Sequence, residues 1–345
     1  MKKEKRYLTI EEQIKALKQK GLTIPDDKVA RKYLLDIGHY KLVNGYRDPF
    51  LARQKVFSGV KTYVKGASID DLYNLYQFDK ELRELLLKYL TMLEVSVKAK
   101  MIDLISRKFG KNESDYLNPV HYKKEASRKT FAEVKTWILD AIDENVKKQG
   151  ALKFYKENYG FCPFWVVIHI LSFGVITRLF SKLKPADQYI VSREYCVKED
   201  FLESSLIIMS MFRNVCAHND VLYRYQTSNF FLRQKDIRYI YEAFDIPTFK
   251  STGKYKQGTN DLFAIIIIFK LLLSEEIFRE FMGTFQEIMA KLRNKVSSGM
   301  FENIFELTNL PNNYAEIIDI EIVKPKAEAA PKKKKKNKNR LQLLK

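Results

Sequence analysis

Apolar residues recur at intervals of three and four along most of the chain, and strict alternation is scarce. The longest stripe runs through Leu82, Leu86, Tyr89, Leu93, Val97, Met101 and Leu104, one apolar face over about six turns. Ser68-Ile-Asp-Asp71 reads as its start, and Gly110 with residues 112–119 as its end. Thr9-Ile-Glu-Glu12 reads as a capping box, in which the Thr9 hydroxyl accepts a first-turn amide while Glu12 reaches back. That box predicts a helix to about residue 20, ended by Gly21. Pro25-Asp26-Asp27 opens a second helix, which Gly38 closes. Further helices are predicted over about 124–148, 151–158, 164–182, 198–218, 261–274, 275–295 and 301–306. Residues 44–66 mix Gly, Pro and aromatics and read as an irregular connector, and only 226–231 and 321–323 pass as short strands. The pattern predicts an all-α fold. It has an N-terminal helical subdomain over 1–66, a helical core over 67–323 and a disordered Lys-rich tail over 324–345.

Composition sharpens this picture. Thirteen Gly and nine Pro in 345 residues fall below average usage of roughly 7% and 5%, as long helices require. Neither a GxGxxG nor a GxxxxGK[ST] loop occurs, so the common nucleotide-binding folds lose their support. The run 262–273 is interrupted by Lys270 and is shorter than the roughly 20 residues of a membrane span. The apolar run 165–180 carries His169 and Arg178. Both read as core helices. With no apolar signal core at the N-terminus and three scattered cysteines, a soluble cytoplasmic protein is expected, without a membrane partner.

The formal net charge is +19. Residues 324–345 carry ten Lys and Arg against Glu328 alone, so roughly half of the excess lies in the body. A basic tail is a common solvated appendage. A body that is basic as well points to a polyanionic partner, nucleic acid first and an anionic membrane surface second.

Serine-nucleophile and zinc-protease templates are missing, and the four histidines have no partners at metal-ligand spacing, so no metal and no cofactor is expected. One cluster stands out at the end of an apolar helix: Met211-Phe-Arg213-Asn214-Val-Cys-Ala-His218-Asn219-Asp220. On physical grounds alone, a lone His there is more often a core or capping residue than a catalyst.

Arg213 to His218 reads R-N-V-C-A-H and resembles the R-x4-H signature of HEPN-domain ribonucleases. The surrounding sequence is similar to abortive-infection proteins of the AbiD/AbiF type. The likeness runs in order through LTIEEQIKALKQKGL (8–22), YLLDIGHYKLVNGYRDPF (33–50), FDKELRELLLKYLTMLEVSVKAKM (78–101), PFWVVIHILSFGVITRLF (163–180), FRNVCAHNDVLYRY (212–225) and LPNNYAEI (310–317).

The resemblance implies a HEPN-like helical bundle and a metal-independent RNA endonuclease serving as the toxin of a phage-defence system. His218 would be the general base or acid handling the proton of the ribose 2′-hydroxyl or of the leaving oxygen. An imidazole, with an ordinary pKa of about 6.5, suits either task. Arg213 would offset charge building on the phosphate. Asn214 would orient the histidine or hydrogen-bond the phosphate. The resemblance also implies a homodimer in which two motifs meet, and a small structured noncoding RNA as partner beside the target RNA. Two places depart from the family: His169 stands where a Glu is expected, and Val221-Leu-Tyr-Arg224 where Arg-Leu-Trp-Asn is expected.

Five residues along a straight helix turn the chain by about 140°, so Arg213 and His218 share a face only if the Arg curls back or the helix ends there. Glu94 lies on the apolar face of the long helix, either as an edge residue or as a partner of Arg213 or His218; its resemblance to a family Ile-Glu step favours the second. Asp79 and Arg83 read as an ordinary i,i+4 pair worth a few tenths of a kcal/mol. For gripping RNA, the candidates are Lys123, Lys124, Arg128 and Lys129 beside Tyr122, Lys250, Lys254 and Lys256 around Tyr255, and Arg224, because aromatic–cation mixtures suit unpaired bases. Two rival readings are a non-catalytic RNA-binding protein of the same fold and a purely structural helical scaffold.

Overall fold

The computed structural model describes residues 6–52, 61–124 and 130–323. The chain is all-α, and fourteen α-helices occur among the described residues: α1 Ile10–Gln19, α2 Asp27–Ile37, α3 Ile69–Lys108, α4 Glu113–Tyr116, α5 Phe131–Val146, α6 Ala151–Tyr159, α7 Phe164–Val167, α8 Phe173–Lys182, α9 Pro185–Ser192, α10 Glu199–Ala217, α11 Arg238–Ala243, α12 Leu262–Leu272, α13 Glu275–Lys295 and α14 Ser298–Thr308. Pairing between extended segments is limited among them to isolated bridges, such as Leu51 with Tyr63. Neither 226–231 nor 321–323 is a strand. The Lys-rich segment 324–345 lies outside the described residues.

The start signals act as their chemistry requires. Thr9 and Glu12 close the capping box of α1, and the Asp26 side chain accepts the Lys28 amide at the start of α2. Ahead of α3, the Asp71 carboxylate accepts the Ser68 amide at 2.8 Å and hydroxyl at 2.7 Å. That helix is 40 residues long, about 60 Å. The helix expected over 164–182 breaks into α7 and α8, because the Ser172 hydroxyl accepts the Val175 amide and caps a new start. Of the helix expected over about 124–148, Phe131–Val146 is helical, and residues 125–129 lie outside the described residues.

The described residues divide into two compact units, one holding those within 1–96 and 204–321, the other those within 97–203 and 322–345. In the first unit α12 is the core: every residue from Leu262 to Leu272 is buried. Its one charge is accommodated, since Lys270 Nζ donates to the Ile318 carbonyl at 2.8 Å, pairs with Glu275 at 3.3 Å and lies over the Phe278 ring. Helices α1 and α2 pack together, and α13 packs on α12 and α14. In the second unit α5 packs on α6 and α8.

Asp261 caps α12 and is fully buried, accepting the Ala264 amide, the Gly258 amide and the Asn309 side chain. Burial pushes its carboxyl from 3.8 up to about 6. The folded chain therefore holds this proton more tightly than the unfolded chain. Its stabilisation is full below pH 4 and is lost as pH rises through about 6. Asp261→Asn should remove a stability decline of up to about 3 kcal/mol between those limits, read by urea unfolding across pH.

Candidate active site at the end of α10

Helix α10 buries Phe201, Leu202, Leu206, Ile208, Met209 and Phe212 before its sequence turns polar at Arg213. Its end is defined by hydrogen bonding. The Asp220 amide donates back to Val215 O at 3.0 Å and the Asn219 amide to Cys216 O at 3.2 Å, with Asn219 left-handed at φ 56°. This is a Schellman ending, in which Asn tolerates the left-handed position better than most residues. His218 is thereby the capping residue, exposed beside exposed Asn214, while Arg213 is half-buried. The helix ends at Ala217, one residue before His218. No hydrogen bond or ion pair joins the Arg213, Asn214 and His218 side chains to one another among the described residues. Cys216, inside the motif, is buried, and burial pushes its thiol up to about 12, leaving it inert as a nucleophile near neutrality.

Arg213 is held from α3. Its Nε lies 3.7 Å from Glu94 Oε2, and this buried Nε makes no hydrogen bond. The structure thus places Glu94 against Arg213. The terminal guanidinium nitrogens hydrogen-bond to no described residue, so the cation is restrained at one end and open at the other.

A second set of residues, read in the sequence as a routine helix pair, fixes the chain beyond the motif. Asp79 is 0% exposed and Arg83 2%. The Asp79 carboxylate accepts the Leu222 amide at 3.1 Å, the Tyr223 amide at 2.6 Å, the Tyr46 hydroxyl at 2.8 Å and the Arg83 guanidinium. Arg83 also donates to the Asp220 carbonyl at 3.2 Å. Burial pushes the Asp79 carboxyl up, against the pull of Arg83 and the two amides. The pair therefore clamps residues 220–223 onto α3, directly after His218. The sequence carried no local signal for this clamp, because the amides it holds lie about 140 residues downstream.

The departures from the family pattern have local partners. Leu222 and Tyr223 are buried, and Arg224 pairs with Asp48 and donates to Gly45 O at 3.3 Å. A Cβ on Gly45 would stand 3.1 Å from the Val221 side chain, so Gly suits this close approach. Val221, Arg224, Tyr225 and Gln226, with Glu306 and Leu307 of α14, line an open cleft of about 550 Å³. His169 is exposed in the turn after α7.

Of the residues expected to grip RNA, Lys123 is engaged, donating to Ser181 O at 3.0 Å and lying 4.0 Å from Glu203. Tyr122 is core: it is buried and stacks on Phe131 at 3.6 Å. Lys124 is exposed. Arg128 and Lys129 lie outside the described residues. Lys254 and Lys256 are exposed, but Tyr255 between them is half-buried and stacked on Tyr241. Among the described residues, no group of three or more His, Cys, Asp or Glu is placed to hold a metal, and no helix is long and apolar enough to cross a membrane.

The family model described as "Abi-like protein" matches residues 32–224. No curated protein and no solved structure matches the chain. The matched stretch is more than half of the 345 residues and carries Glu94, Arg213, Asn214 and His218. The chain belongs to the Abi-like family.

Proposed function

We propose that this member of the Abi-like family is a metal-independent endoribonuclease acting in the cytoplasm as the toxin of an abortive-infection system. The observation that carries the reading is the pairing at the end of α10, where Glu94 restrains Arg213 and a Schellman ending presents His218 to solvent. A ribose 2′-oxygen attacks the adjacent phosphorus, the bond to the 5′-oxygen breaks, and a 2′,3′-cyclic phosphate and a 5′-hydroxyl result. His218 moves a proton, either from the 2′-hydroxyl or to the 5′-oxygen. Arg213 stabilises the charge gathering on the non-bridging oxygens. Asn214, exposed and next to Arg213 in the chain, hydrogen-bonds the phosphate or orients the histidine. Two chains bring their motifs together in a homodimer, and a small structured noncoding RNA serves as partner.

Arg213→Ala should slow single-turnover RNA cleavage in EDTA by about 10²–10³-fold while the protein still binds RNA. A variant that cuts as fast as the wild type would remove Arg213 from the chemistry. A second reading has one observation behind it: among the described residues, no hydrogen bond orients the His218 ring. In that reading the same residues grip phosphate without cutting, and wild type and variant alike bind RNA and leave it intact.

A further inference from the structure

Residues 226–235 and 247–257 hold five Lys or Arg and no Asp or Glu. Both segments belong to the unit containing α10, and both lie beyond the stretch the family model covers. Here the chain leaves three phenylalanine rings in water: Phe230 is 45% exposed, Phe231 37% and Phe249 48%. Cations stand over two of them. Lys254 Nζ is 4.3 Å from the centre of Phe231, and Lys256 Nζ is 5.6 Å from that of Phe249.

The surface is built rather than loose. The Phe249 amide donates to Lys254 O at 2.8 Å, the Lys256 amide to Pro247 O at 2.9 Å, and Gly253 takes the turn at φ 65°. Tyr255 anchors this turn by stacking on buried Tyr241 at 4.2 Å and 9°. The other segment is tied down by the Leu232 amide to Thr259 O at 2.6 Å and the Thr227 amide to Asn260 O at 2.8 Å. Tyr255, the aromatic expected from sequence to meet bases, is thus the support, and the phenylalanines are the surface.

We propose that Phe230, Phe231 and Phe249, with Lys250, Lys254 and Lys256, form a binding platform for an unpaired RNA segment. Flat rings stack on bases of any sequence, and the interleaved cations meet the phosphates. Charge favours RNA over a neutral or basic partner: Lys250, Lys254 and Lys256 share a loop, 247–257, that holds no Asp or Glu. An anionic lipid surface offers the same charge, and the vesicle arm of the test below separates it from RNA. The inference rests on the ribonuclease reading only in taking RNA as the polyanion.

The test measures binding to the full-length chain carrying His218→Ala, so that cutting does not enter and the fate of the nuclease reading is separate. Fluorescein-labelled RNA of about 12 nucleotides, single-stranded or as a duplex of equal length, is titrated at about 0.3 M salt to suppress tail contacts. The single strand should bind at least about tenfold more tightly than the duplex. Phe230→Ala/Phe231→Ala/Phe249→Ala should erase that preference, and the corresponding Phe→Tyr triple should keep it. Retained preference in the Ala triple would overturn the proposal. So would an Ala triple that loses binding to phosphatidylserine-containing vesicles while its RNA affinity stays unchanged.

Discussion

Truncating Asp79 to Ala is expected to destabilise the protein by about 3–5 kcal/mol, a large share of the stability of an ordinary domain. Two costs combine. Arg83 is left as an uncompensated charge at 2% exposure, and the amides of Leu222 and Tyr223 lose their acceptor. Urea unfolding measures the loss. Asp79→Ala/Arg83→Met should recover part of it, since replacing a buried ion pair by apolar groups costs far less than breaking it. The double variant separates stability from positioning: it should unfold closer to the wild type and still cut RNA slowly, because residues 220–223 are no longer clamped behind His218. An Asp79→Ala protein within about 1 kcal/mol of the wild type would show that the clamp carries little.

Replacing His218 by Ala should lower the cleavage rate by about 10²–10⁴-fold, the range supplied by a positioned proton-transfer group. Stability should barely change. The side chain is exposed, and the Schellman ending is made by the backbone of residues 215–220, which Ala preserves. RNA affinity should also hold, because Arg213 and the basic surfaces remain. A parallel loss of folding and activity would instead make His218 a structural cap.

Much of the fold could be read from local chemistry. The capping box at Thr9, the Asp26 start, the Gly38 stop and the stripe of α3 are short-range signals, and each appears where the residues place it. Lys270 in an otherwise apolar run was compatible with a core helix because its amine could reach a carbonyl at 2.8 Å. The breaks were harder to see. The local marks of the break over 168–172 are only Ser172, an N-cap residue, and Gly174 just after it, too little to outweigh the apolar run. Helices α4, α9 and α11, of four, eight and six residues, are too short for periodicity to declare.

The candidate site divides in the same way. Arg213, Asn214 and His218 are adjacent in sequence and so were visible together, and Glu94 showed itself as a carboxylate on an apolar face. The clamp was not visible. Asp79 and Arg83 read as an ordinary i,i+4 pair because their other partners, Tyr46, Asp220, Leu222 and Tyr223, become neighbours only through folding. The opposite error befell Tyr122, whose neighbouring lysines suggested a solvent-facing ring; its hydroxyl donates to Tyr116 O at 2.6 Å inside the core.

The most direct test of the account is the chemistry of the cut ends. Protein stripped of bound RNA is incubated with RNA in EDTA, and the products are identified for the wild type and for His218→Ala. The expected products are a 2′,3′-cyclic phosphate, or the 3′-phosphate it hydrolyses to, opposite a 5′-hydroxyl, with both lost in the variant. Products ending in a 3′-hydroxyl and a 5′-phosphate, cleavage that appears only with added divalent metal, or equal cleavage by the variant would contradict it.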